Sequence, residues 1–213
     1  MSKCNEISLA VQSGKQKDAA ALVQAALNEG TKAEQILTEG LLPAMDIVGQ
    51  KFTANEIYVP EMLIAARAMN AAMEILKPML VSAGVKPIGR AVIGTVKGDL
   101  HDIGKNLVRL MMEGKAIEVF DIGVDVTAEQ FADAVEEHGA TVVACSALLT
   151  TTMGEMKNII EVLTQRGLRD KVKIMVGGAP ISESFCKEIG ADYYTADAAS
   201  AADIARDILL NAK

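Results

Sequence analysis

"RAVIGTVKGDLHDIGKNLVRLMMEGKAIEVFDIG", residues Arg90 to Gly123, is the stretch that decides the fold. "RAVIGTV" is a short apolar run rich in β-branched residues and reads as a buried strand. "DIGKNLVRLMMEG" repeats its apolar residues at helical spacing, and "IEVFDIG" returns to strand. Strand, helix and strand in succession form a βαβ unit with parallel strands.

The alternation continues toward the C-terminus. "TAEQFADAVEEHG" is a helix opened by a Thr127/Gln130 capping box. "ATVVACSAL", "TTMGEMKNIIEVLTQRG", "KVKIMVGG", "PISESFCKEIG", "ADYYTA" and "DAASAADIARDILLNA" complete five strand and helix pairs. This order predicts a parallel sheet with helices on both faces and right-handed crossovers. With flavodoxin-like strand order 2-1-3-4-5, ligands bind outside the carboxyl ends of the strands, where the winding reverses between the first and third. "GDLHDIG", "SALLTTTMG" and "GGAP" follow strands one, three and four, so three unusual loops share one rim.

Upstream the grammar differs. From Asn5 to Leu80 the chain is rich in Ala, Leu, Glu, Gln and Met and reads as helix throughout. "TKAE" offers Thr31 as a cap with Glu34 reaching back. Val59, Met62, Leu63, Ala66, Met69, Met73, Leu76 and Leu80 form an apolar stripe along the last helix. Four helices in a small bundle are the economical reading. "KPMLVSAGVKPIGR" then brings Pro78, Gly84, Pro87 and Gly89 together, which predicts a linker from Ser82 to Gly89. The expected division is a helical domain over 1–88 and a Rossmann-like α/β domain over 89–213.

The 213 residues suffice for a sizeable core without disulfide or structural metal. With 21 Lys+Arg against 28 Asp+Glu, the formal charge of -7 disfavours nucleic acid as a partner. Cys4, Cys145 and Cys186 are three, widely spaced and in no C-x-x-C pair, which points to a reducing compartment. No signal-peptide core and no membrane-spanning run is evident, so a soluble cytoplasmic protein is expected.

His101 stands two residues after Asp99, which can fix its tautomer and leave the other ring nitrogen free for a metal or a proton. The other histidine, His138, sits at a helix end, and no zinc-spaced Cys and His cluster exists. A metal held by one histidine needs its remaining ligands from a cofactor. The glycine loop matches neither G-x-G-x-x-G nor G-x-x-x-x-G-K-[ST], and Asp99 and Asp102 would repel phosphate, so nucleotide binding is disfavoured. A receiver domain would carry an acceptor aspartate where this chain has Ser146. Ser146, Thr150, Thr151 and Thr152 crowd the start of the third α/β helix, where at least one is expected to cap it. Gly98 and Gly104 allow sharp bends or close approach, and Gly177 and Gly178 are expected to leave a slot for a flat or elongated group.

These residues resemble the cobalamin-binding domains with the pattern Asp-x-His-x-x-Gly, Ser-x-Leu and Gly-Gly: Asp99, His101 and Gly104; Ser146 and Leu148; Gly177 and Gly178. "LLPAMDIVGQKFTANEIYVPEMLIAARAM" is similar to the helical cap that accompanies this domain in methionine synthase and in methyltransferase corrinoid proteins. The resemblance implies a cobalamin cofactor, methylcobalamin or a related corrinoid, with His101 as axial ligand to cobalt. It implies that Asp99 hydrogen-bonds the imidazole and that Thr152 continues the relay. Gly104, Ser146, Leu148, Thr150, Gly177 and Gly178 would line the channel for the nucleotide tail, with Ala147 where some relatives have Gly. Phe52, Val59 and Met62 would cover the methyl group, with ordinary bundle core as their alternative role.

The function implied is a methyl carrier, without catalysis of its own. Cobalt(I) would take the methyl group from a substrate:corrinoid methyltransferase, and methyl-cobalt(III) would be presented to a second methyltransferase serving tetrahydrofolate or coenzyme M. A reductive activase would be a further partner. His101 would bind in the methylated state and let go in cobalt(I), with proton uptake by the His101/Asp99 pair assisting release. The alternatives are a cobalamin-dependent sensor and the cobalamin subunit of an adenosyl-dependent mutase.

Overall fold

A computed structural model describes residues 2–211. The chain divides into two compact units, Met1–Pro87 with Gly114–Ala116 and Ile88–Glu113 with Ile117–Lys213. Among the described residues no helix is long and apolar enough to cross a membrane.

The first unit is helical. Helix α1 (Lys3–Gln12) is capped by Ser2, whose hydroxyl accepts from the Asn5 N–H, and α2 (Gln16–Asn28) packs beside it. A third rod runs through α3 (Ala33–Gln35), a π-helical stretch (Ile36–Leu41) and α4 (Leu42–Thr53). Pro43 has no N–H to donate and stands where the ladder resets from π to α. Helix α5 (Val59–Ser82) starts with the Glu61 carboxylate accepting from the Tyr58 N–H at 3.0 Å. Met62, Ala65, Ala66, Met69, Ala72, Leu76 and Leu80 are buried along it.

One expectation fails in this unit. The Thr31/Glu34 capping box does not form; Lys32 is the N-cap of α3 and no side chain caps it. The Thr31 N–H instead donates to the Ala26 carbonyl at 3.0 Å, closing the end of α2. Pro78 lies inside α5, which runs on to Ser82. Its position near the solvent-facing C-terminus limits the loss to one exposed backbone hydrogen bond.

The second unit holds β1 (Gly89–Thr95), α6 (Ile103–Glu113), β2 (Ile117–Asp121), α7 (Ala128–His138), β3 (Val142–Ser146) and α8 (Glu155–Gln165). It continues with β4 (Lys173–Gly177), α9 (Glu183–Ile189), β5 (Tyr193–Tyr194) and α10 (Ala198–Asn211). The five strands are parallel in the order β2-β1-β3-β4-β5, as the alternation predicts. Alternate residues supply the two faces. Val92, Val96, Val143, Ile174 and Val176 join Phe131 and Val135 of α7 and Met156, Ile159 and Leu163 of α8 in one apolar cluster. Helices α6 and α10 pack together on the opposite face.

The Thr127/Gln130 capping box forms in both directions, and Gly139 ends α7 in the left-handed conformation. By contrast α8 begins at Gly154 with no side-chain cap, so none of Ser146, Thr150, Thr151 and Thr152 takes the capping role expected of them. The Thr152 hydroxyl is engaged elsewhere.

Candidate functional site

Register places the site. Thr95 of β1 stands opposite Ser146 of β3, and Ser146 opposite Gly177 of β4, so three strands end in one row. Beyond it the chain leaves β1 through Gly98, whose φ of +79° suits glycine and turns the loop back over the strand ends. The loop carries Asp99 and His101 onto that row.

Asp99 is fully buried, at 0% exposure. Its Oδ1 accepts from the His101 N–H at 3.0 Å and lies 2.7 Å from His101 Nδ1. Oδ2 accepts from the Leu148 N–H at 2.7 Å, from the Leu149 N–H at 3.3 Å and from the Thr152 hydroxyl at 3.0 Å. Burial alone would push this carboxyl up. The donors from His101, Leu148 and Thr152 outweigh it and hold the group well below the usual carboxylate range.

An ionised carboxylate only accepts, so His101 donates from Nδ1, and in the neutral ring Nε2 carries the lone pair. The imidazole is half exposed, with 51% of its side chain open. The arrangement presents one oriented nitrogen donor from a protein rim. Among the described residues no group of three His, Cys, Asp or Glu side chains is placed to hold a metal ion. Cys145, one residue from Ser146, is buried and its thiol is pushed up to about 12, so it stays protonated and offers no thiolate ligand.

The surroundings of His101 are apolar and open. Leu100 and Ile103 are 71% and 72% exposed, and Leu148 and Leu149 also face solvent. A Cβ added at Gly104 would meet nothing within 4 Å. A half-exposed imidazole among exposed leucine and isoleucine side chains fits a large, partly apolar metallocofactor that brings the metal's other ligands with it.

The structure thus brings Asp99, His101, Leu148 and Thr152 together, with Ser146 and Gly177 in the row beneath. Thr150 is exposed. At the Gly177 and Gly178 pair, a Cβ at Gly178 would lie 1.8 Å from the Ala147 carbonyl oxygen, and one at Gly177 3.4 Å from that of Thr195. The missing side chain at Gly178 serves close approach of the chain's own backbone. Met62 is buried as bundle core would be, and Phe52 and Val59 are half-buried. His138 lies away from the rim, stacked on Phe120 with ring centroids 3.9 Å apart.

Several contributors escaped sequence reasoning. The Thr95 hydroxyl donates to the His101 carbonyl at 2.9 Å. Asp125, after β2, accepts from the Gly98 N–H at 2.7 Å. Buried Lys105 reaches Asp121 at 2.5 Å and ties the first turn of α6 to the end of β2.

Fold and site together define an α/β protein whose rim presents a half-exposed histidine held by a buried carboxylate. Comparison with known proteins makes this specific. Models described as B12 binding domain match residues 89–204 and residues 4–77. A corrinoid protein of Desulfitobacterium hafniense is 37% identical over 98% of this chain and 98% of its own length. A dimethylamine corrinoid protein of Methanosarcina barkeri is 39% identical over 96% of each chain. Among solved structures, the methanol:cobalamin methyltransferase complex MtaBC from Methanosarcina barkeri matches with a TM-score of 0.87 at 29% identity, over 97% of this chain and 79% of that one. The chain belongs to the family of corrinoid proteins built on the B12 binding domain.

Proposed function

We propose that this chain is the cobalamin-carrying methyl carrier of a methyltransferase system. The carrying observation is the buried Asp99 carboxylate 2.7 Å from Nδ1 of the half-exposed His101, on the sheet's carboxyl rim. When bound, the corrinoid supplies the chemistry, its cobalt accepting a methyl group from a substrate:corrinoid methyltransferase and yielding it to a second methyltransferase.

His101 holds the metal through Nε2, and Asp99 keeps Nδ1 protonated so that this lone pair stays available. Thr152 and the Leu148 and Leu149 amides keep Asp99 ionised and still. A proton arriving at Nε2 would detach the imidazole, since a doubly protonated ring has no lone pair. Gly104, Ser146, Leu148, Thr150, Gly177 and Gly178 are the residues we assign to the nucleotide tail, and Phe52, Val59 and Met62 of the helical unit to shielding the methyl group. The second methyltransferase would pass the group to tetrahydrofolate or coenzyme M, and a reductive activase would restore the low-valent cobalt. The MtaBC match supports a methyltransferase partner.

The test is methylation itself. The chain loaded with reduced cobalamin is mixed with a methyl donor and each methyltransferase encoded beside its gene, and the cofactor is then extracted. Methylcobalamin should accumulate with one pairing and be consumed on adding the second methyltransferase. Failure to form it with every pairing contradicts the carrier reading.

A further inference from the structure

We infer that Asp125 is a positioning residue for His101: it clamps the β1–α6 loop from outside and so sets how firmly the imidazole holds a metal. The inference rests on His101 being the metal ligand, as proposed above.

Asp125 belongs to the loop between β2 and α7, not to the loop that carries the histidine. That loop runs alongside the end of β1. The Ile122 N–H donates to the Ile93 carbonyl at 2.9 Å, the Thr95 N–H to the Gly123 carbonyl at 3.0 Å and the Val126 N–H to the Thr95 carbonyl at 3.0 Å. Val96 and Val126 form an isolated parallel bridge. Asp125 adds the two bonds that reach past the sheet into the histidine loop. Its Oδ1 accepts from the Gly98 N–H at 2.7 Å, and its own N–H donates to the Asp99 carbonyl at 3.0 Å. The residue before Asp99 and Asp99 itself are therefore both fixed by one side chain and one amide.

The backbone marks the same residue. Asp125 has φ +56°, in the left-handed region where a non-glycine residue is strained and where Asn and Asp are best tolerated. In this conformation its carboxylate faces the Gly98 amide. Asp125 has no hydrogen bond to the His101 ring or to the Asp99 carboxylate, so replacing it removes neither the ligand nor its partner. Orientation of the imidazole passes through the Asp99 backbone on one side and through the Thr95 hydroxyl on the His101 carbonyl on the other.

Asp125→Gly deletes the acceptor while relaxing the backbone, and Asp125→Asn keeps both an acceptor oxygen and tolerance of positive φ. Each is loaded with methylcobalamin at neutral pH, and the absorption spectrum gives the ratio of histidine-bound to histidine-free cofactor. Loss of a charge-assisted hydrogen bond should lower that ratio about tenfold in Asp125→Gly. Asp125→Asn should restore it. His101→Ala is the control: a spectrum like that of the parent protein overturns the ligand reading and this inference with it. If His101→Ala loses the histidine-bound form while Asp125→Gly keeps it in full, or if Asp125→Asn behaves as Asp125→Gly does, this inference alone is overturned. Amide exchange in the unsubstituted protein is a second check needing no variant. The Gly98 N–H should be protected, and its free exchange contradicts the clamp.

Discussion

Asp99 performs two tasks that pull against each other. It is buried, which favours the neutral acid, yet it must be ionised to hold the Nδ1 proton of His101. Donors from three parts of the chain resolve the conflict, and they make the site a contributor to stability. Because the folded carboxyl titrates below its unfolded counterpart, the stability it supplies is present above the unfolded value, about 4, and is lost as pH falls below it. Denaturant unfolding of the cofactor-free protein should show stability declining with acid below about pH 4. In Asp99→Asn that part of the decline should vanish. The same variant should lose about 2 kcal/mol at neutral pH, because an amide cannot accept from every donor now aimed at the carboxylate. An unchanged acid profile in Asp99→Asn would mean that the carboxyl is not the group responsible.

At the scale of elements, three strands end level and three loops converge over them, and the closeness of those loops is set by glycine. At Gly178 a side chain would collide with the Ala147 carbonyl oxygen at 1.8 Å, and the backbone there has φ +132°. Gly178→Ala should therefore cost about 3 kcal/mol or more in unfolding free energy, while Gly104→Ala, with open space at its Cβ, should cost well under half of that. Equal stabilities for the two would contradict the packing described. The elements themselves were legible because strand and helix periods alternate over long stretches. Cap chemistry was less so. Thr127/Gln130 and Thr31/Glu34 have the same pattern, but the Thr31 amide is spent on closing the preceding helix, and helix α3 starts one residue later than that pattern requires. Pairing of Asp99 with His101 could be read because the residues are two apart in one loop. The Leu148 amide lies 49 residues away, and a backbone donor carries no residue-type signal. Asp125 was invisible for a related reason, since its mark is a backbone conformation.

The whole molecule joins a helical unit to an α/β unit, each matched by its own B12 binding domain model. The central assignment is that the protein's grip on the cobalt of its corrinoid is the nitrogen of His101, as proposed above. The most direct measurement compares the absorption spectrum of methylcobalamin bound to the unsubstituted protein and to His101→Ala, with binding confirmed by retention through gel filtration. The account predicts that His101→Ala retains the corrinoid but shows only the histidine-free spectrum. A variant that binds methylcobalamin with the spectrum of the unsubstituted protein contradicts it.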